Sequence, residues 1–418
     1  MPQAFTPFKH RSFAVYWTGA FVSNVGTWME TVALGYYVTN RTGKGLWAAI
    51  IASAAFIPIG LFGPVGGALA DRLNRRKILI YGNVVEAALA ALLTVLFATD
   101  NLPPWAAAVI VFGSGCASAL AFPAFSALVP DLVPKEELVK AISLNSAQWN
   151  LGRVVGPAFA GIVIYALGSA WAFGINAVSF LAVIVALTMI AVPDRAKTVK
   201  VAVWRSIQQG VKFTRTEPGL RAMSTMMFFA TIFAAPFIAL LPAMAKKVFH
   251  GGSGTVSWLV TAQGCGAVIA ALNMGRLSER FGSRKLMNWS LWSLPVATIL
   301  YAVAPNLPLS VMSLVLLGGC YLASLNCYST IAQTRAPAQF RGRVLAVNTF
   351  ILGAFYPLSS LIQGRLSDTI GLRKATAIYG VGLAIVLLSF RVFAPHFTAP
   401  IDVPVDATSI ELANAFQA

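Results

Sequence analysis

The sequence is poor in charged residues, and acidic residues are especially few. Of its 418 residues, 11% are charged, with 14 acidic against 31 basic ones. A soluble globular chain usually has about 25% charged residues. Hydrophobic residues make up 57% of this chain. This composition cannot cover a water-facing surface with polar groups, so it excludes an ordinary soluble protein and predicts a membrane protein.

Residues that bind metals or carry out catalysis are also scarce. The three histidines lie outside the long apolar segments, so a histidine relay across a membrane is not expected. The four cysteines lie in apolar stretches without metal-ligand spacing and are expected to be free thiols. The sequence contains no HExxH motif and no glycine-rich phosphate loop with its lysine. We therefore expect neither an enzyme nor a bound metal or other cofactor.

Twelve long apolar segments divide the chain. A helix of about 20 residues crosses the hydrocarbon core of a membrane. Helices are expected because each one satisfies its own backbone hydrogen bonds in lipid. The predicted spans are 13–38, 46–69, 78–98, 104–129, 138–167, 170–192, 222–245, 256–275, 286–304, 307–332, 344–367 and 373–394.

The basic residues fall mainly in alternate short loops between these segments. Cytoplasmic loops of membrane proteins carry an excess of lysine and arginine. This distribution predicts a multi-pass protein of the cell (inner) membrane with both termini in the cytoplasm. It argues against a nucleic-acid partner, because the basic residues act as topology signals and do not form one phosphate-binding face.

The predicted spans group into two sets of six, separated by a basic linker. Within the linker, Trp204, Ile207 and Val211 share one face of a helix, which is typical of a short helix lying in the membrane interface. The chain after the last span carries acidic residues but no lysine or arginine, and we expect a loosely ordered cytoplasmic tail. The predicted domains are an N-terminal half at 1–192, the linker at 193–221, a C-terminal half at 222–394 and the tail at 395–418.

An internal repeat relates the two halves. The segment GGALADRLNRRKIL follows the second predicted span, and MGRLSERFGSRKLM follows the eighth. Two equivalent halves in parallel order are a known transporter plan, with substrate bound between them near the membrane midplane. At an offset of 208, the residues Gly67, Asp71, Arg72, Arg76 and Lys77 match Gly275, Glu279, Arg280, Arg284 and Lys285.

The motif G-x-L-A-D-R-x-x-R-R-K at 67–77 resembles the signature loop of the major facilitator superfamily. The resemblance implies an all-α membrane protein with twelve transmembrane helices in two six-helix halves. It also implies that Asp71 and Arg72 form part of a cytoplasmic gate. Asn74 stands where the family usually has glycine, and because asparagine tolerates the left-handed conformation we expect the turn to be kept. The predicted gating residues are Gly67, Asp71, Arg72, Arg76, Lys77, Gly275, Glu279 and Arg280.

A second motif, NSAQWNLGRVVGPAFAG, lies in the fifth span. Gly152, Gly156 and Pro157 are its hallmark residues, and small residues on one face allow close contact between helices. The motif is similar to the span-five motif of superfamily exporters and antiporters. The fourth span has no arginine, unlike that of many drug/proton antiporters. The chain therefore resembles the branch of enterobactin-type siderophore exporters and macrolide efflux proteins, which implies efflux.

Three ionisable side chains fall well inside the predicted spans, namely Glu30, Glu86 and Arg153. Each costs about 2.5–3.5 kcal/mol at the bilayer centre and should find a partner in the bundle interior. Our hypothesis is that Glu30 or Glu86 carries a coupling proton, while Arg153 tunes its affinity or contacts an anionic substrate. The alternative is a fixed structural bridge between Arg153 and one of the two acids.

Other polar and aromatic residues in the spans are candidates for the substrate cavity, although contacts between helices explain each of them equally well. We predict a monomeric secondary active transporter whose partners are protons, membrane lipids and a small amphipathic molecule such as a siderophore, macrolide or drug. The alternatives are a lipid or lysophospholipid flippase, a uniporter and, from another class, a membrane enzyme. The candidate cavity residues are Asn24, Trp28, Gln148, Trp149, Gln263, Asn326, Asn348 and Tyr356.

Overall fold

The structure is a computed structural model that describes residues 3–190, 203–337 and 340–403. The described residues are almost entirely helical, as the composition and the twelve apolar segments predict. The α-helices are α1 (Arg11–Thr42), α2 (Gly45–Arg72), α3 (Arg75–Ala98), α4 (Pro104–Leu128), α5 (Leu138–Leu167), α6 (Ser169–Met189), α7 (Val203–Thr216), α8 (Pro218–Phe233), α9 (Leu241–Lys247), α10 (Ser253–Phe281), α11 (Ser283–Val303), α12 (Leu307–Arg335), α13 (Arg341–Ile370) and α14 (Leu372–Phe393).

Eleven spans within the described residues are long and apolar enough to cross a membrane. They are built from α2 to α6, from α8 with the turn that follows it, and from α10 to α14. Helix α1 has 32 residues but is more polar, since it carries Arg11, Glu30 and Arg41. With α1 as the twelfth membrane helix, the chain has the predicted twelve-helix fold.

By its contacts the chain forms two compact units. One consists of Met1–Val199 and Leu241–Gly264, and the other of Lys200–Leu240 and Cys265–Ala418. In the first unit α1 packs against α5 and α6, and α2 packs against α4. In the second unit α11 packs against α12 and α14, while α13 packs against α7, α8 and α14. The division into six-helix halves at the linker stays a prediction.

The seventh span differs from the sequence prediction of one continuous helix over 222–245. The structure has α8, a 3-10 turn at Ala235–Ile238, and then α9. Pro236 and Pro242 lie at this interruption. Proline lacks the backbone N–H that an α-helix needs, and its ring clashes with the preceding turn. A hydropathy scan does not detect this break, because the two prolines leave the segment 222–245 apolar.

The two copies of the repeated loop turn differently. Gly282 has a φ of 80° and precedes α11, as a glycine in this place allows. Asn74 has a φ of −64°, so the expected left-handed conformation is wrong. Its side-chain oxygen accepts a hydrogen bond from Lys77 N at 3.2 Å and caps the start of α3. Asparagine is among the best helix N-cap residues, and this role requires no positive φ.

The linker helix α7 packs against α13, and the predicted interfacial face of Trp204, Ile207 and Val211 stays a prediction. Gly210, Phe213 and Thr214 are buried, whereas Val211 is half-buried. The Phe213 and Phe340 rings lie 4.8 Å apart. The side chains of Trp204 and Ile207 lie outside the described residues.

The chain between α14 and Val403 makes polar contacts with α11. Arg284 Nη1 contacts Asp402 Oδ2 at 2.9 Å, and Asn288 Nδ2 donates to Thr398 Oγ1 at 3.3 Å. The tail from residue 404 onward lies outside the described residues.

Candidate transport site

Helices α1 and α5 lie very close together along a seam of small residues. A Cβ atom built at Gly152 would lie 2.7 Å from Asn24 Nδ2, and one at Gly156 would lie 2.5 Å from Trp28 Cβ. Such distances are far shorter than normal van der Waals contacts, so only glycine fits at either position. Pro157, the next residue in α5, is also buried. The span-five motif thus lies where α5 meets α1.

Replacing Gly156 with alanine is expected to destabilise the protein by about 1–3 kcal/mol, which is typical for an overpacked interior. The added methyl group would also lie 2.7 Å from Val25 O, a backbone atom that cannot rotate away. The apparent unfolding temperature of the purified protein should therefore fall. Gly174→Ala is the matched control, since its Cβ would meet only Thr94 Cγ2 at an ordinary 3.6 Å. Equal unfolding temperatures for both variants would contradict the close approach.

Asn24 is held firmly at this seam. Its side-chain Nδ2 donates to Gln148 O at 3.4 Å and to Trp149 O at 3.3 Å. Carbonyl oxygens only accept hydrogen bonds, so this contact fixes the orientation of the amide and turns Oδ1 away. Asn24 Oδ1 and Gln148 Oε1 are buried without a hydrogen-bond donor among the described residues.

Arg153 lies on the same part of α5 and faces an aromatic ring. Its guanidinium carbon is 5.4 Å from the centre of the Trp28 ring, within the range of a cation–π interaction. The backbone of Arg153 is approached closely by Gly264 of α10, where a Cβ atom would lie 2.9 Å from Arg153 O. Gln263, next to this glycine, is 1% exposed. Trp149 is 48% exposed and offers apolar surface.

Glu30 contacts a neutral partner on α6. Asn176 Nδ2 donates to Glu30 Oε2 at 2.7 Å, and Asn176 is 1% exposed. Ser179 Oγ donates to Asn176 Oδ1 at 3.2 Å, which fixes the amide so that its N–H groups face the carboxyl group. Gly26 of α1 leaves room for this pair, because a Cβ there would lie 2.7 Å from Asn176 Oδ1.

Glu86 of α3 also contacts a neutral partner. Its Oε1 accepts a hydrogen bond from the Ser118 hydroxyl of α4. Glu30 and Glu86 lie in the same unit, and two ionised carboxylates in one low-dielectric region repel each other.

The partners of the acids were not identified from the sequence. Asn176 is a lone amide in the apolar segment GINAVSF, which is a usable signal. Ser118 gives no comparable signal, because serine is common in membrane helices.

The predicted gating loop is only partly covered by the structure. The side chains of Asp71 and Arg72 lie outside the described residues. Arg76 Nη2 donates to Thr188 O of α6 at 2.8 Å. Lys77 contributes its backbone N–H to the cap on Asn74. Gly67 has open space where a Cβ would lie.

A neighbouring ion pair at the loop was missed from the sequence. Arg75 Nη1 lies 3.0 Å from Asp131 Oδ2 and 2.9 Å from Ala127 O, so it joins the start of α3 to the end of α4. Asp131 is nearly inaccessible, with a 3% exposed side chain. Arg75 was read as one of several topology cations, and spacing alone did not indicate a partner 56 residues away.

The second copy of the loop is open to the surroundings. Gly275, Glu279 and Arg280 are all exposed. The Arg280 guanidinium carbon lies 5.1 Å from the centre of the Phe281 ring. Within the part of the chain that the structure describes, Glu279 and Arg280 form no buried ion pair comparable to Arg75–Asp131.

The remaining candidate cavity residues belong to the second unit. Asn348 and Tyr356 of α13 are buried, and Asn326 of α12 is half-buried. Asn348 Oδ1 has no hydrogen-bond donor among the described residues.

The fold and these buried polar groups define a membrane transporter of the major facilitator superfamily. Residues 2–411 match the transmembrane secretion effector family, MFS_3. The chain belongs to this family, as the two motifs and the internal repeat predicted. It is a multi-pass membrane protein related to efflux proteins.

Curated relatives include two kinds of efflux protein. Macrolide efflux protein A of Streptococcus pyogenes is 24% identical over 368 residues, which cover 86% of this chain and 90% of that protein. The multidrug efflux pump Tap of Mycolicibacterium fortuitum is 27% identical over 389 residues, covering 90% of this chain and 94% of the pump.

Solved transporter structures share the fold at low sequence identity. A POT family transporter in complex with 5-aminolevulinic acid aligns with a TM-score of 0.76 and 13% identity, over 93% of this chain and 97% of that chain. The E. coli fucose:proton symporter FucP aligns with a TM-score of 0.62 and 15% identity, over 91% and 97% of the respective chains. At these identities the similarity concerns the fold alone.

Proposed function

We propose that the protein is a proton-coupled exporter of bulky amphipathic organic molecules. The observation that carries this proposal is the contact of Glu30, inside a membrane helix, with the neutral amide of Asn176. Protonation of a carboxylate in a salt bridge would leave an unpaired cation in the membrane, which is costly. Protonation of Glu30 leaves the Asn176 N–H group with an oxygen that still accepts. Glu30 can therefore gain and lose a proton while its partner stays satisfied.

Glu86 adds a reason why the binding of one proton can change the conformational energy of the protein. Two ionised carboxylates in a low-dielectric region repel each other, and protonation of either one removes this repulsion. A proton bound at Glu30 of α1 therefore changes its interaction with α6. It also changes its interaction with Glu86, which lies on α3 and contacts α4. Arg153, stacked on Trp28, tunes this site or contacts a substrate anion in the same proposal.

The substrate class follows from the surfaces next to the acids. Trp149 offers a large, half-exposed aromatic surface. The buried side-chain oxygens of Asn24 and Gln148 have no hydrogen-bond donor among the described residues. A bulky, mainly apolar molecule with a few hydroxyl or amine groups matches this combination. Relatives described as macrolide and multidrug efflux proteins support a macrolide, siderophore or similar drug as the substrate.

The transport cycle we propose is alternating access between two six-helix halves. The protein acts as a monomer in the inner membrane, with both termini in the cytoplasm. The loop at 67–77 and its second copy at 275–285 act as cytoplasmic gates. Their position after the second and eighth predicted spans and the excess of basic residues there support this orientation.

Proton movement in proteoliposomes tests the proposal. The purified protein is reconstituted with an internal pH dye, and macrolides, siderophores, dyes and lysophospholipids are added one at a time. We expect at least one bulky amphiphile to cause proton flux that protein-free liposomes do not show. Uptake of a compound without proton flux would contradict the coupling and indicate a uniporter or, for a lysophospholipid, a flippase.

A further inference from the structure

Helix α7 presents a basic face on the side opposite to its packed face. Lys212 and Arg215, three residues apart, lie on one side of the helix and are exposed. Gly210 and Phe213 lie on the other side and are buried. A Cβ atom at Gly210 would lie 2.8 Å from Arg343 O, so α7 is held tightly against α13. The packed face therefore orients the basic face outward.

The start of α13 extends this basic region. Arg341 is exposed, and the Arg343 guanidinium carbon lies 4.7 Å from the centre of the Phe340 ring. Arg343 Nη1 is buried and has no hydrogen-bond acceptor among the described residues. A buried cationic donor without an acceptor is costly, and an anionic oxygen would satisfy it. We refer to Lys212, Arg215, Arg341 and Arg343 as the α7 basic surface.

Acidic residues are rare in the stretches of sequence that contain the α7 basic surface. Glu217 is the only acidic residue between positions 195 and 278 of the sequence. Its side chain is 2% exposed and is bound to Arg335. No acidic residue occurs between positions 281 and 367. Basic residues therefore outnumber acidic ones in both stretches.

We propose that the α7 basic surface binds the headgroups of anionic phospholipids. Helices α8 and α13 are membrane spans that begin at Pro218 and Arg341, so the four cations lie within a few residues of span ends. Lipid phosphates are the anions always present at that depth. Juxtamembrane basic clusters attract anionic lipids with about 1 kcal/mol per cation. Guanidinium groups also pair with phosphate through two parallel hydrogen bonds.

Lipid retention by the full-length protein tests this proposal. The purified, delipidated protein is titrated with phosphatidylglycerol or with phosphatidylcholine of the same acyl chains, and bound lipid is counted by native mass spectrometry. We expect a preference for phosphatidylglycerol that weakens as salt is raised, because salt screens exposed charges. The double variant Lys212→Gln/Arg215→Gln should bind phosphatidylglycerol about 30-fold more weakly, from two cations at the stated energy each.

The matched control is Lys246→Gln/Lys247→Gln, which removes two adjacent cations at the end of α9. This control should keep the affinity of the wild type for phosphatidylglycerol. Arg343→Gln should lower it as well, because it removes the donor that has no acceptor. Equal binding of the two phospholipids by the wild type would overturn the proposal. So would an equal loss of affinity in the α7 and α9 double variants.

Discussion

Replacement of Glu30 by glutamine is expected to lower substrate-driven proton flux strongly. Glutamine keeps the size and the hydrogen bond from Asn176 but cannot take up a proton. We expect the flux in proteoliposomes to fall by about 100-fold, the lower range for loss of a proton-transferring side chain. The unfolding temperature of the purified variant should stay close to that of the wild type, because the contact with Asn176 is retained.

Glu86→Gln is the matched variant for this experiment. The Ser118 hydroxyl that contacts Glu86 belongs to an exposed residue and can rotate to other acceptors, whereas Asn176 is buried and oriented by Ser179. We therefore expect the coupling to depend mainly on Glu30, with Glu86 acting through its charge. Unchanged coupling and pH dependence in both variants would show that the two acids have a structural role only.

Replacement of Arg335 by methionine should destabilise the protein more than any other substitution considered above. Arg335 Nε lies 3.2 Å from Glu217 Oε2, and its Nη1 donates to Ile401 O at 2.8 Å and to Val403 O at 2.7 Å. Both members of the ion pair are buried, at 8% and 2% exposure of their side chains. Removal of one partner of a buried pair costs about 3–5 kcal/mol, because the other charge is left uncompensated.

Thermal unfolding of the purified protein measures this effect. Arg284→Met is the control, since its partner Asp402 is 54% exposed and surface pairs contribute about 0–1 kcal/mol. The double variant Glu217→Gln/Arg335→Met should be more stable than Arg335→Met alone. Glutamine removes the stranded charge and can still accept the hydrogen bond from Leu220 N. Equal unfolding temperatures for Arg335→Met and Arg284→Met would contradict the buried network.

The helical fold was predictable because apolar length and basic loops are local signals. The membrane acids Glu30 and Glu86 were found for the same reason, since a charge inside an apolar run stands out. The interruption of the seventh span was less visible. The two prolines there change the backbone but not the hydropathy, so a scan by apolar length passes over them.

The partners of the charged groups were not predictable. Asn176 lies 146 residues from Glu30, and Glu217 lies 118 residues from Arg335. Periodicity reports which side of one helix is apolar, but it does not report which helices meet. Arg335 is one residue whose partners could not be predicted for this reason. It follows the predicted span 307–332, where a basic residue is expected to act as a topology signal, whereas the structure buries it and uses all its nitrogens in hydrogen bonds.

The first unit combines α1 to α6 with a segment that is synthesised later, after the linker. Pro242 packs against Gly35 of α1, and Ser257 packs against Gly161 of α5, yet both belong to Leu241–Gly264. A nascent chain that has left the ribosome only as far as the linker therefore lacks the residues that cover these surfaces of α1 and α5. Until then, helices α1 to α6 stay in the translocation machinery or in lipid, and these surfaces of α1 and α5 are not covered by the protein. The first unit reaches its final packing only after α10 has been synthesised.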